Sequence, residues 1–201
     1  MNDHLSVNDL LENISKLETV EFEAFIKGVQ SLRPKKAATE DSNMDEGRFW
    51  AIIALLDWEK ETGPEIVRPA IEALSQFSRP GICAFQDILN EKLYALDGKR
   101  FAEQLGSNAF GHDRQKHFSV DDFLFARCGV VANGQPFFDE VLKNPEMMPK
   151  EFTFEPLLYL PDRAWQLKTG LASLDHFPEK SFDTFSNLPG RPGIKPLGDR
   201  F

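Results

Sequence analysis

FSVDDFLFARCGVVANGQPFFDEVLKNP, Phe118 to Pro145, is the stretch that decides the fold. Ser119 is a natural N-cap, and Asp122 three residues later makes a Ser-x-x-Asp variant of the capping box. Stepping about 100° per residue from Val120, the apolar arc runs through Val130, Phe123, Val131, Leu124 and Cys128. Asn133-Gly134 is a turn, and Pro136 starts a second helix bearing Phe137, Phe138, Val141 and Leu142. Asn144-Pro145 stops that helix, because a residue before proline disfavours helical backbone. Two helices joined at a glycine predict an all-α body.

Arg127 falls near the centre of the apolar arc. A buried guanidinium needs a partner, since breaking a buried pair costs on the order of 3–5 kcal/mol. Two arrangements satisfy it. In one, Arg127 forms an internal ion pair with Glu155, the charge that interrupts the otherwise apolar FTFEPLLYL. In the other, Arg127 is an anion anchor in a pocket, bidentate to a carboxylate or phosphate and flanked by Asp121 and Asp122. The ion pair is the expected arrangement, because buried charges are normally paired. Asp121 and Asp122 sit at a helix N-terminus, where the dipole alone favours acids, so capping is their expected role.

Working outward, residues 1–33 predict a helical hairpin. Val7, Leu10, Leu11, Ile14 and Leu17 stripe one helix; Val20, Phe22, Phe25, Ile26, Val29 and Leu32 stripe the other. A pair this short has too little core to stand alone and must dock on something. Residues 34–43 are a polar linker opened by Pro34. The main domain, 44–170, begins with EGRFWAIIALLDWEKETG, whose apolar surface is expected to end at Gly63 as a C-cap. Pro64 opens a helix through Ile66, Val67, Ala70, Ile71 and Leu74, complicated by Pro69 inside it. Pro80 to Leu96 is another helix, closed by the Asp97-Gly98 turn. FTFEPLLYLP is open between strand, helix and extended chain; Pro161 then starts a last helix ending at Gly170. Trp50, Trp58 and Trp165 are expected in the core. Residues 171–201 lack any sustained period and predict an irregular tail, disordered or loosely packed.

The totals exclude several function classes. A net charge of −9 over 201 residues argues against a nucleic-acid backbone or an anionic membrane as partner. Cys83 and Cys128 match no CxxC pattern and predict reduced, buried thiols in a reducing compartment; with no signal layout or transmembrane run, cytoplasmic is the expected location. His112, Asp113, His117, Asp121 and Asp122 cluster within eleven residues, but the histidines flank the solvated run DRQK, so no metal site and no cofactor are expected. No phosphate loop, GxSxG, HExxH or useful Cys/His spacing occurs, and no catalytic residue is assigned.

EGRFWAIIALLDW, LYALDGKRFAEQLG, FSVDDFLFARCGVVANGQPFFDEVLKNPEMM and FEPLLYLPDRAWQLKTG together resemble the bacterial domain-of-unknown-function family 4240, over about residues 44–170. The features that carry the resemblance are Phe49-Trp50, Asp121-Asp122 before Leu124, Arg127, Gly134, Phe138, Pro145 and Glu155, in that order. The family's Trp and Gly-rich lead-in before the two aspartates is replaced here by Phe101 and the histidine loop. The resemblance implies a helical fold and bacterial origin, and no particular activity. The expectation is a non-enzymatic helical protein-interaction module, regulatory or immunity-like, that meets another protein through the N-terminal hairpin or the tail or forms a homo-oligomer. The alternative is an enzyme or small-ligand-binding protein with a pocket around Arg127 and Asp121/Asp122.

Overall fold

A computed structural model describes residues 43–105 and 119–190. The chain divides into units 1–39 and 40–201, and everything described belongs to the second. The expected hairpin at 1–33, nearly all of the 34–43 linker, the His112/His117 loop and the last eleven residues lie outside the described part. Seven α-helices and no strand occur among the described residues: α1 Glu46–Ile53, α2 Gly63–Leu74, α3 Arg79–Ala95, α4 Lys99–Ala102, α5 Val120–Ala132, α6 Gln135–Lys143 and α7 Leu160–Thr169. Two 3-10 segments, Pro145–Met147 and Glu155–Tyr159, complete the set. The fold is all-α.

Helix α5 is the centre. Phe123, Leu124 and every residue from Ala126 to Ala132 are buried, so the apolar arc widens to almost the whole circumference. A helix surrounded by other elements needs no polar face. Its cap forms as expected, Ser119 Oγ accepting from Asp122 N at 3.1 Å. Small residues set the packing distance: a Cβ on Gly129 would stand 2.9 Å from Phe152 Cδ1, so that ring lies directly on the helix. Helices α3 and α6 and the Glu155–Tyr159 segment pack on α5, while α7 packs on α2 and α3. At Gly134, φ of 89° turns the chain between α5 and α6, a backbone angle that glycine adopts without steric cost.

Aromatic rings fill the space between helices. Phe49 meets Trp50 edge-on at 4.9 Å and Phe85 at 4.8 Å, and Trp50 meets Phe138 at 5.5 Å. Lys92 lies over both Trp50 and Phe138 and pairs with Glu46. The lysine holds the Glu46 carboxyl below the usual carboxylate range, assisted by the Trp50 indole N–H.

Three expectations need correction. Helix α1 stops at Ile53, and Gly63 opens α2 instead of closing α1. Asp57 N donates to Ile66 O at 3.0 Å, so the intervening chain turns back onto α2. That turn brings Trp58 out of any helix, and it is 46% exposed while Trp50 is buried. Pro69 stays inside α2. Finally, residues 171–190 are irregular yet closely held: Leu174 is buried, and Phe182 packs against the core. The segment's hydrogen bonds reach residues far back in the chain, which a search for local periodicity cannot register.

Candidate functional site around Arg127 and Asp97

Among the described residues the charged interior of the domain holds two, Arg127 and Asp97, each 0% exposed. Arg127 projects from the middle of α5. One of its terminal nitrogens donates to Leu93 O at 2.9 Å and the other to Thr184 Oγ1 at 2.9 Å. Its guanidinium lies 4.8 Å from the Phe123 ring centre, a cation–π contact in a desolvated place. The acceptor on Leu93 is one of the carbonyls that the last turn of α3 leaves without an intrahelical partner. Arg127 therefore caps that helix end from the side, where a cation also complements the helix dipole.

Asp97 follows α3 immediately, in the Asp97-Gly98 turn. Its carboxylate accepts from Phe185 N at 3.2 Å and Asn187 N at 2.9 Å, with Ser186 Oγ at 3.5 Å. Asn187 Nδ2 donates to Tyr94 O at 3.0 Å, and Thr184 Oγ1 donates to Val120 O at 2.8 Å. Both buried charges are thus met by one stretch, Thr184–Asn187.

The expected Arg127–Glu155 pair is absent. Glu155 is exposed, and its carboxylate accepts from Tyr159 OH at 2.6 Å, which pushes the phenol above its ordinary pKa. The 3-10 turn at Glu155–Tyr159 places Leu157 inward and Glu155 outward, which the unresolved local conformation of FTFEPLLYLP concealed. Arg127 itself has no exposure to solvent. Asp121 and Asp122 stay exposed in the first turn of α5. Asp122 lines a cleft of about 280 Å³ with Leu105, Ala126, Lys150, Phe152 and Thr153, and Arg127 is not part of it.

Asp97, Thr184 and Asn187 escaped the sequence reading. Asp97 looked like an ordinary turn residue, and nothing local signals that its turn is covered. The Cys128 thiol, beside Arg127, is pushed up to about 12 by burial, the neighbouring cation pulling the other way. Cys83 is half-buried and also raised by burial; both cysteines are free. Among the described residues no group of three His, Cys, Asp or Glu side chains is placed to hold a metal ion, and no helix is long and apolar enough to cross a membrane.

A second surface has a different character. Trp58 meets Phe154 at 5.0 Å and Phe152 at 5.9 Å, both Trp58 and Phe152 being exposed. From Phe154 the chain leads to Glu155, Pro156 and exposed Tyr159. These three, with Pro64, Val67, Ile71 and Arg163, line a groove of about 410 Å³. Its floor is apolar and its rim carries one acid, one phenol and one guanidinium.

Comparison with curated proteins and with solved structures finds no match to the chain. A family model described as "Protein of unknown function (DUF4240)" matches residues 44–167. That span takes in α1 through most of α7, with Arg127 and Asp97 inside it. It covers well over half of the 201 residues, and the chain therefore belongs to this family, as the residues between 44 and 170 had suggested.

Proposed function

We propose that the chain is a cytoplasmic, bacterial, non-enzymatic module that works by binding another protein. The observations that carry this reading are the exposed, touching rings of Trp58 and Phe152 and, separately, the apolar groove whose rim carries exposed Tyr159. Large aromatic side chains exposed together at a groove mark protein-binding surfaces, where Trp and Tyr supply most of the energy. The acidic net charge suits a basic partner. Residues 1–33, expected from their sequence to pair as amphipathic helices, are proposed as a further contact to the same partner or to a second copy.

The test is capture from a lysate of the source organism on immobilised full-length chain, with Trp58→Ala and Tyr159→Ala compared with wild type. Both side chains are exposed, so thermal unfolding should stay within a degree or two of wild type. A partner retained by wild type and lost on either substitution supports the reading. An identical set of captured proteins for all three chains refutes it.

The cleft beside Asp122, with Lys150 and Thr153 on its wall, is a feature that favours an enzyme or small-ligand-binding protein. Arg127 contributes nothing to that cleft, which deprives this second reading of its anion anchor.

A further inference from the structure

Residues 171–190 lie along the body as a bound peptide would. Many of the contacts run from body side chains to main-chain groups of the segment. Asp162 accepts from Leu174 N at 2.8 Å, and Arg79 donates to Leu174 O at 2.9 Å and to Asp175 O at 3.0 Å. Asn90, itself buried, donates to Lys180 O at 2.8 Å. Asp97 accepts from the amides of Phe185 and Asn187, and the Lys99 amide donates to Gly190 O at 3.1 Å. Side-chain recognition adds Leu174 in the core, His176 on Asp87 at 2.6 Å and Thr184 on Arg127. Domains that receive extended peptides divide the task in this way: main-chain bonds give affinity and a few pockets give selectivity.

Two independent observations separate the segment from the body that holds it. The family match ends at residue 167, before the segment begins, whereas Arg79, Asp87, Asn90, Asp97, Arg127 and Asp162 all fall within it. Also, the non-glycine residues with positive φ among those described are Asp175 at 49° and Phe185 at 76°, both in the segment. Each sits where body side chains grip the main chain. A bulky residue such as Phe185 adopts that backbone only where its surroundings impose it.

We infer that the groove along α3, closed by Arg127 of α5 and Asp162 of α7, is a binding site for an irregular, turn-containing polypeptide segment, occupied here in cis by residues 171–190. Its ligand in trans is a segment of the same chemistry: a buried aliphatic residue followed, ten residues on, by a threonine whose hydroxyl meets Arg127 and amides that meet Asp97. The cis segment competes at the high effective concentration of a tethered ligand, so the site opens to a trans ligand only when the tether is cut or the segment is drawn away. This site is separate from the Trp58 face, and substitutions there leave it untouched.

The experiment uses the full chain with a protease recognition sequence inserted at Ala172, which is exposed between Gly170 and Leu174. After cleavage the C-terminal fragment should co-elute with the body, and a labelled peptide of residues 171–190 should exchange into the nicked protein with saturable anisotropy. The intact chain should take up at least tenfold less peptide at equal concentration. A Thr184→Val peptide should bind at least tenfold more weakly, and an Asp183→Asn peptide, changed at an exposed side chain, should bind like wild type. Unfolding of the body on nicking would overturn the proposal, because the segment would then be an integral part of the core. Loss of the fragment from a folded body that ignores the peptide would overturn it too, as would equal affinity of the Thr184→Val peptide.

Discussion

Replacing Arg127 by Met tests how the interior charge is satisfied. Met restores an apolar side chain of comparable reach, which keeps any cavity small. It removes the charge-assisted hydrogen bonds to Leu93 and Thr184, each worth about 1.5–3 kcal/mol. What remains is a stranded Leu93 carbonyl at the end of α3 and a Thr184 hydroxyl without its donor. Relief of the guanidinium's own desolvation offsets part of that loss, leaving a cost of about 3–5 kcal/mol, the usual figure for breaking a buried charge contact. With a urea slope of about 2 kcal/mol/M, the unfolding midpoint should fall by roughly 1.5–2.5 M. Urea unfolding followed by Trp fluorescence and by circular dichroism reads this directly. Glu155→Gln, at an exposed carboxylate bonded to Tyr159, should move the midpoint by no more than the roughly 0.5 kcal/mol of an ordinary surface change. Reversing both charges, Arg127→Glu with Glu155→Arg, should rescue nothing. Should Glu155→Gln cost as much as Arg127→Met, or the double reversal restore stability, the guanidinium answers to Glu155 after all and the capping account is wrong.

Two other outcomes follow from packing and burial. Gly63→Ala would set a Cβ 2.5 Å from Pro156 Cγ, in a ring that cannot rotate away. Such overpacking costs about 1–3 kcal/mol, and the thermal midpoint should drop by roughly 2–10 °C in calorimetry. Cys128, with its thiol pushed up to about 12, should resist a thiol reagent at pH 8 while the chain is folded. Cys83, half-buried, should label slowly, and only denaturant should bring the count from one thiol to two; prompt labelling of both would refute the burial described here.

Local chemistry alone determined a good deal about this protein. Ser119 before VDD set the start of α5, Asn133-Gly134 and Pro136 set the passage into α6, and Gly170, with φ of 79°, set the end of α7. Each depends on backbone preferences within a turn or two, which neighbouring residues carry. Burial of Arg127 was legible for the same reason, since helical periodicity places it among Val130, Phe123 and Leu124. Its partners were not legible: Leu93 is 34 residues away and Thr184 is 57. Nor was the docking of residues 171–190, a stretch with no period to detect. Its order comes from Arg79, Asn90, Asp97 and Asp162 meeting main-chain groups, and such groups look alike in every sequence. Only the assembled helices bring those side chains to one groove, so tertiary structure alone decided which carbonyls and amides they would hold.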